Sequence, residues 1–365
     1  MDTALSTLTD QVRSAFAATR ALHIRGGGSK DFYGEARQGE LLDTRVLHGI
    51  VSYEPSELVV TAGAGTPLAE LEQLLATKGQ YLPFEPPHFA GGATVGGMVA
   101  AGLSGPARAA SGGMRDFVLG VQMLNGRAQQ LRFGGQVMKN VAGYDVSRLM
   151  AGSFGTLGVI TEVSLKVLPL PVAQATLRFD LDQPGALRQL NVWAGKPLPL
   201  NASCWLREQG QPRLYLRLRG AHAAVHAACR DLGGDLLGQA QAHTFWQALR
   251  EHDAPFFAAT TSDCLWRLGV PDTTADLQWP GETLVEWGGA QRWVWASPAQ
   301  AGALREKLAA VGGTASLFRR GGPSDGSDSL FTPIFQPLAP AVQGIADALK
   351  KQFDPAGIFN RPRLA

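Results

Sequence analysis

The chain has 365 residues, more than one ordinary core organises, so two domains or one domain carrying an inserted second are expected. Apolar residues make up 45% and charged residues 18%, which supports a large core and excludes global disorder. The net charge is +2 with no basic block, which argues against nucleic acid or an anionic membrane as the main partner.

In chain order, Leu5, Leu8, Val12 and Phe16 recur at helical spacing and predict a helix from Thr3 to Leu22. A strand then leads into a glycine loop, Arg25-Gly26-Gly27-Gly28-Ser29-Lys30. Strands are expected at Gly49–Tyr53 and Glu57–Ala62. Thr66-Pro67 reads as an N-cap with a first-turn proline, opening a helix through Leu68, Leu71, Leu74 and Leu75 that Gly79 closes. The stretch from Phe89 to Ala107 lacks charge, but its glycines and bordering prolines are wrong for a spanning helix. Asp116–Leu124 is a strand, Asn125-Gly126 a hairpin turn, and Gln129–Phe133 the return strand. Gly152 to Gly158 leads into a β-branched strand, Val159–Val167, stopped by Pro169 and Pro171.

Composition changes beyond Pro171. All eight tryptophans lie between Trp193 and Trp295, and strands such as Leu214–Leu218 and Trp293–Trp295 alternate with helices. One helix starts at the capping box Ser297-Pro298-Ala299-Gln300. A last helix, Pro340 to Phe353, carries Val342, Ile345, Leu349 and Phe353, and a turn-rich tail follows it. The three cysteines, Cys204, Cys229 and Cys264, are scattered. They provide neither an iron–sulfur cradle nor a zinc ribbon, and they suit a reducing compartment. Met1 to Leu22 lacks the order of a signal peptide, so a cytoplasmic protein is expected.

Three glycine-rich loops could carry chemistry: Arg25 to Lys30, Gly91-Gly92-Ala93-Thr94-Val95-Gly96-Gly97, and Gly152-Ser153-Phe154-Gly155-Thr156-Leu157-Gly158. Small residues after a strand leave backbone N–H groups free for a pyrophosphate, and Ser29 adds a hydroxyl. Any one of these loops alone is equally well a surface turn. A Rossmann site at Gly63-Ala64-Gly65 fails because Leu68 stands where close packing wants a third small residue.

The loops, with Lys139-Asn140-Val141-Ala142-Gly143-Tyr144-Asp145-Val146-Ser147-Arg148-Leu149 and the Gly152–Glu162 block, resemble the FAD-linked oxidases of the vanillyl-alcohol-oxidase or PCMH type. The resemblance spans roughly Leu22 to Leu170 and returns in Asp354-Pro355-Ala356-Gly357-Ile358-Phe359-Asn360. The short length and Pro86-Pro87-His88-Phe89 point within that family to the smaller flavin subunits of bacterial glycolate oxidases (dehydrogenases). The resemblance implies an α+β fold: a two-lobed PCMH-type FAD-binding domain over residues 1–171, an α+β cap over 172–339, and a C-terminal segment, 340–365, returning to the first domain. It implies FAD as cofactor, and the lack of His or Cys in Arg25 to Lys30 predicts that FAD is held non-covalently. The residues it assigns to FAD are Arg25, Gly26, Gly27, Gly28, Ser29, Lys30, Pro87, Gly91, Gly92, Ala93, Thr94, Val95, Gly96, Gly97, Gly105, Gly152, Ser153, Gly155, Thr156, Gly158, Val159, Ile160 and Asn360. It further implies a small 2-hydroxy acid as substrate, glycolate to glyoxylate as the reaction, and a complex with a larger FAD-binding subunit and an iron–sulfur subunit, peripheral to the inner membrane through those partners.

Two departures stand out. Phe154 replaces the family's usual Glu in the third loop, and the histidine-rich cap motif H-x-H-x-G-D-G-N-x-H has no match. Oxidising a 2-hydroxy acid needs a base for the hydroxyl proton and a cation for the carboxylate. The cap supplies His222, His226, His243 and His252, with Arg292, Arg319 and Arg320 as carboxylate candidates. His222 and His226 are spaced to share a metal but have no third ligand, and alanines surround them as on an ordinary surface helix. His88 stands beside the second loop, as flavin neighbour or as packing residue. Trp205, Trp246, Trp266 and Trp279 are candidates for exposed interface anchors or for cap core. Two other readings stay open: a self-sufficient FAD-dependent 2-hydroxy-acid dehydrogenase, and a non-catalytic assembly subunit with a vestigial flavin site.

Overall fold

A computed structural model of the chain describes residues 2–36, 38–135, 145–258, 263–321 and 332–364. The Lys139–Tyr144 part of the family block lies outside the described residues. Two compact units form. The first holds Met1–Ser104, Gly113–Leu170 and Pro337–Ala365, and the second holds Gly105–Gly112 and Pro171–Gln336. Gly105–Gly112, which sequence order puts in the first domain, therefore clusters with the second unit. Elements are numbered along the whole chain.

The first unit contains α1 (Asp2–Ala18), β1 (Leu22–Arg25), β2 (Glu40–Asp43), β3 (Ile50–Glu54), β4 (Val59–Gly63), α2 (Leu68–Ala76), β5 (Gln80–Tyr81) and α3 (Val95–Ala101). It continues with β6 (Val118–Leu124), β7 (Gln130–Gly134), β8 (Val159–Lys166), β9 (Leu168–Pro169) and α9 (Pro340–Phe353). Five strands make an antiparallel sheet in the order β3-β4-β8-β6-β7. Leu68, Leu71 and Leu75 of α2 and Val95, Met98 and Val99 of α3 pack with Val60, Val121, Val163 and Leu165 of the sheet. A smaller core sits under α1, where Leu8, Val12 and Ala15 meet Leu22, Leu42, Val159, Ile358 and Phe359. The tail is thus part of the core: Leu22 donates its N–H to Ile358 O at 2.7 Å, and Asn360 N returns one to Leu22 O at 2.9 Å.

Two local expectations change. Thr66 does not cap α2: its hydroxyl is 3.1 Å from Gly49 O and 3.0 Å from Gly49 N, and Pro67 occupies the cap position without a side-chain bond. Cross-loop satisfaction of Gly49 takes the oxygen that a cap would use. Asn125-Gly126 is not a two-residue turn either, because β6 and β7 pair Leu124 with Gln130 across a five-residue loop. Asn125 Oδ1 accepts from Arg127 N and Gln129 N, both at 3.0 Å, and Ala128 takes the positive φ of 60°. Gly126 instead answers a close approach, since a Cβ there would stand 2.9 Å from Asp354 Cα. In the last helix, Leu349 and Phe353 pack on the core, whereas Val342 and Ile345 are 50% and 70% exposed.

The second unit contains α4 (Arg108–Ser111), β10 (Ala173–Phe179), α5 (Gln183–Ala194), β11 (Leu200–Glu208), β12 (Gln211–Gly220), α6 (His222–Leu232), β13 (Asp235–Leu236) and α7 (Gln239–Glu251). It ends with β14 (Cys264–Gly269), β15 (Thr283–Glu286), β16 (Gln291–Ala296), α8 (Ala301–Ala309) and β17 (Thr314–Arg319). Eight strands form an antiparallel sheet in the order β13-β10-β12-β11-β15-β16-β14-β17. Leu214, Leu216 and Leu218 share one face with Leu187, Leu190 and Trp193 of α5 and Val225 of α6. Leu304 and Leu308 of α8 cover Trp266, Leu268 and Val294 at the other end.

The D-P-x-G-I-F-N tail is a buried polar box. Asp354, 2% exposed, accepts Ile358 N at 2.9 Å, Phe359 N at 2.8 Å and Lys350 Nζ at 2.6 Å. Lys350 Nζ also donates to Thr156 O at 2.5 Å and Phe359 O at 3.2 Å, and burial pulls its pKa below the ordinary lysine value. Removing the carboxylate leaves two buried N–H groups and a half-buried ammonium without their acceptor. We predict that Asp354→Ala costs roughly 3–5 kcal/mol, the range for breaking a buried pair. Urea denaturation monitored by tryptophan fluorescence measures this, and a loss below about 1 kcal/mol, the worth of one ordinary hydrogen bond, contradicts the box as a keystone.

Candidate functional site

The first glycine loop leaves β1 at the point where β2 pairs beside it, Arg25 opposite Asp43. Gly26, Gly27, Gly28 and Ser29 follow, and no backbone N–H of these four has an acceptor among the described residues. Consecutive free N–H donors of this kind form an anion-binding concavity. Two side chains brace the loop. Arg25 Nε donates to Asp31 Oδ2 at 2.8 Å, and Lys30 Nζ reaches His88 O at 3.4 Å and lies 5.6 Å from the Phe89 ring centroid. Arg363 fixes the segment beyond, its guanidinium donating to the carbonyls of Lys30, Asp31, Tyr33 and Glu35.

The second loop crosses directly over the first. A Cβ on Gly27 would overlap the Gly92 carbonyl, and one on Gly26 would strike the Thr94 hydroxyl. These two positions are glycine because backbone and side chain from the second loop occupy the space. Thr94 caps α3, accepting Gly97 N at 3.2 Å.

The third loop closes the cleft from the other side. Phe154 sits at φ 50°, with its N–H on Ala100 O at 2.9 Å and its ring edge-on to Tyr33, centroids 5.3 Å apart. Asn360 ties this loop to β1: its Oδ1 accepts Ile24 N at 2.7 Å, and its Nδ2 donates to Phe154 O at 2.6 Å. A Cβ on Gly155 would stand 2.7 Å from that same Nδ2. Ser153 Oγ is buried without a hydrogen-bond partner among the described residues.

Two adjoining clefts result, of about 90 and about 70 Å³. The first is lined by Arg25 to Lys30 with Thr94, Gly97 and Asn360, the second by Gly26, Gly96, Gly97, Gly155, Gly158, Ile160 and Asn360. They are small beside a whole ligand pocket, which spans roughly 300–1,000 Å³, and suit the diphosphate portion of a larger molecule. Gly91, Gly92, Ala93, Gly152, Ser153 and Thr156 shape the crossings without lining either cleft. Pro87, Val95 and Val159 are buried as packing residues. Gly105 lies in the second unit, where its carbonyl accepts Trp287 Nε1 at 3.0 Å. Ile24, Asp31, Thr44, Ala100 and Arg363 line the clefts and escaped the sequence reading. Their positions carry no glycine signal, and only the parallel return of the tail beside β1 brings Arg363 there.

Other candidates resolve differently. Gly63 and Gly65 accommodate the carbonyls of Leu47, Thr44 and Arg45, so they serve chain crossing. His88 Nε2 lies within hydrogen-bond distance of Glu72 Oε2, at 2.9 Å. His222, His226 and His243 are exposed on α6 and α7, and no group of three metal-ligating side chains exists among the described residues. His252 stacks on Phe257, centroids 3.8 Å apart, and burial beside Arg319 and Arg267 holds its pKa well below the ordinary value. Arg292 is fully buried, donating to Gly289 O at 3.2 Å, Ala275 O at 2.7 Å and Thr274 O, so its guanidinium is consumed in the fold. Arg320 donates to Thr332 O at 3.4 Å, and burial lowers the pKa of Arg319. No helix among the described residues is long and apolar enough to cross a membrane.

A family profile described as an FAD binding domain matches residues 5–134. Glycolate oxidase subunit GlcE of Escherichia coli K12 is 44% identical over 98% of this chain and 96% of its own length. The chain belongs to the PCMH-type FAD-binding family, in the group of GlcE. FAD is its cofactor, and the family is one of FAD-dependent oxidoreductases. Glycolate oxidase subunit GlcD of Bacillus subtilis is 31% identical over 38% of this chain and 29% of its own length. The fold is also that of alkyldihydroxyacetonephosphate synthase, with a TM-score of 0.65 over 96% of this chain and 73% of that one at 15% identity.

Asn360 offers a direct test. Asn360→Asp keeps an acceptor for Ile24 N but puts an anion where Phe154 O needs a donor. A loss of roughly 1–3 kcal/mol, the penalty for an unsatisfied buried group, is expected in urea denaturation, together with a fall in the flavin retained through gel filtration. Unchanged stability and flavin content contradict the tie.

Proposed function

We propose that this chain is the smaller FAD-bearing subunit of a glycolate (2-hydroxy acid) dehydrogenase complex, oxidising glycolate to glyoxylate together with a larger FAD-binding subunit and an iron–sulfur subunit. The observation that carries it is the 44% identity to GlcE along nearly the whole of both chains. The free N–H row at Gly26 to Ser29 supplies the physical support. Bound FAD supplies two-electron acceptance from the substrate carbon. The first loop's N–H groups would hold its diphosphate, with Thr94, Gly97 and Gly155 closing round it. The chain's own contribution is to bind and orient. Glycine at 26, 27 and 155 keeps the approach open, the Asp354–Lys350 box and Asn360 fix the loops, and Phe154 places an apolar ring where relatives of the family carry a carboxylate.

The reading of a partner-dependent subunit is supported by what the site residues cannot do. His252 is packed among the buried rings of Phe257, Trp293 and Phe318, and Arg292 is bonded to carbonyls. Neither serves as base or carboxylate anchor without rearrangement. The cysteines cannot hold a cluster among themselves: Cys204 and Cys264 are buried, and burial pushes both thiols up in pKa.

Two outcomes follow. First, FAD is held without a covalent bond, so acid precipitation leaves the yellow colour in the supernatant. Gly27→Ala, whose methyl displaces Gly92, weakens FAD binding roughly 5- to 150-fold, the equivalent of one lost donor at about 1–3 kcal/mol. Flavin retained on the denatured chain refutes the attachment, and full occupancy in Gly27→Ala refutes the loop as binding site. Second, the purified chain with an artificial electron acceptor turns glycolate over poorly or not at all. Co-expression with the larger flavin subunit and the iron–sulfur subunit restores turnover and yields a co-purifying assembly. Full turnover by the isolated chain would instead establish a self-sufficient dehydrogenase.

A further inference from the structure

The second unit carries an open-mouthed cavity of about 840 Å³ that none of the three glycine loops lines. Its volume falls within the roughly 300–1,000 Å³ of small-molecule sites. It forms where the β11–β12 hairpin meets α7. The inner wall is apolar: Leu206, Leu237 and Phe256, each 8% exposed, stand around Phe245. Phe245 stacks on Tyr215 with centroids 4.1 Å apart and planes at 27°. Trp246, the next residue, anchors α7 to the sheet through Nε1 to Thr176 Oγ1 at 3.0 Å, so the aromatic wall does not depend on a ligand for its position. Water finds few partners on such a surface.

The rim has a different character. Glu208, Asp253 and Glu282 face the cavity against a single cation, Arg207, which donates to Gly210 O at 3.2 Å. Beyond the lining, Arg319 acts on Asp253 through space and Arg178 hydrogen-bonds to the Tyr215 hydroxyl, whereas no ion pair is formed by Glu282 among the described residues. Glu208 is held in place by the Tyr215 hydroxyl, which donates to its Oε2 at 2.8 Å. Burial and Glu208 push the Tyr215 pKa up to about 12, so that donor persists across the physiological range.

We propose that this cavity binds a small amphipathic cation, its aromatic or alicyclic body against Phe245 and Phe256 and its ammonium or amidinium at Glu208 and Glu282. Two features select that class. A stacked aromatic wall favours a flat apolar body, and a rim with excess carboxylate attracts a cation and repels an anion. A bare metal ion could engage the rim carboxylates but leaves the apolar aromatic wall unused, so it accounts for only half of the cavity. An anionic 2-hydroxy acid is disfavoured by the same rim, which makes this site chemically distinct from one for the proposed substrate.

The probes are phenylbutylamine and phenylbutyrate, which share a body and differ in head charge, titrated calorimetrically into the FAD-loaded protein. The amine is expected to bind, with the acid at least about tenfold weaker, a factor that one charge-assisted hydrogen bond supplies. Ala248→Trp fills the cavity and abolishes amine binding, while the flavin spectrum and melting temperature stay unchanged. Thr244→Trp, at an exposed position on α7, blocks it independently of any packing fault at 248. Glu208→Gln combined with Glu282→Gln removes the preference for the amine. The proposal is overturned if neither probe binds, if both bind equally to the unaltered protein, or if amine binding survives in a folded tryptophan variant.

Discussion

Asn360 spans the gap between two chain segments that are far apart in sequence, taking the N–H of Ile24 and giving one to the carbonyl of Phe154. Both of its amide functions are used, and the backbone there adopts φ 41° to aim them. The first glycine loop begins two residues after Ile24, and the third surrounds Phe154, so the spacing of the candidate cofactor cleft is set by one side chain. Asn360 is held in turn from behind. Phe359 is fully buried in the small core under α1, and its N–H ends on Asp354. Asp354 also takes Lys350, which reaches Thr156 O in the third loop. Loops built of glycine lose more backbone entropy on ordering than other loops. Side-chain amides, a carboxylate and an ammonium fasten them from outside because the glycines have no side chains with which to fasten themselves.

That division of labour explains why the glycines differ in what they do. Gly27 is glycine because the Gly92 carbonyl lies where its Cβ would be, and Gly28 because its φ is 77°. Gly63 and Gly65, which look like half of a dinucleotide fingerprint, instead let the Leu47 and Thr44–Arg45 carbonyls pass. The candidate chemistry lies in what the first loop leaves undone: four consecutive N–H groups with no acceptor among the described residues. Most buried backbone donors in folded proteins are paired, and a half-buried unpaired row beside a cleft is open to water or to an anion from outside the chain.

The elements and the loops were legible in the sequence because they depend on local rules: apolar periodicity, β-branched runs, and glycine after a strand. What was not legible depends on long-range satisfaction. Thr66 has the right residue type and place for an N-cap, yet its hydroxyl goes to Gly49, a neighbour only in the fold. Asn125-Gly126 has the strongest short-range turn signal, yet Gly126 is required by Asp354, more than two hundred residues on, and the turn widens accordingly. Arg363 braces the first loop through four carbonyls, and nothing near it in sequence marks it for that task. Arg292 looks like a free cation in the sequence and is the least available arginine in the fold.

The tryptophans carry the same lesson to the question of partners. An indole has one donor, and a buried indole needs an acceptor. In the second unit Trp205 donates to Leu181 O, Trp246 to Thr176 Oγ1, Trp266 to Ala296 O, Trp293 to Glu286 Oε2 and Trp295 to Phe256 O. Trp205, Trp246 and Trp266 are 5% exposed or less, and Trp279 packs against the α8 cluster. Residues engaged in this way are cap core, and removing one would damage the unit before it damaged any interface. The tryptophan count therefore lends no weight to a complex. The proposal of partners rests instead on the similarity to GlcE.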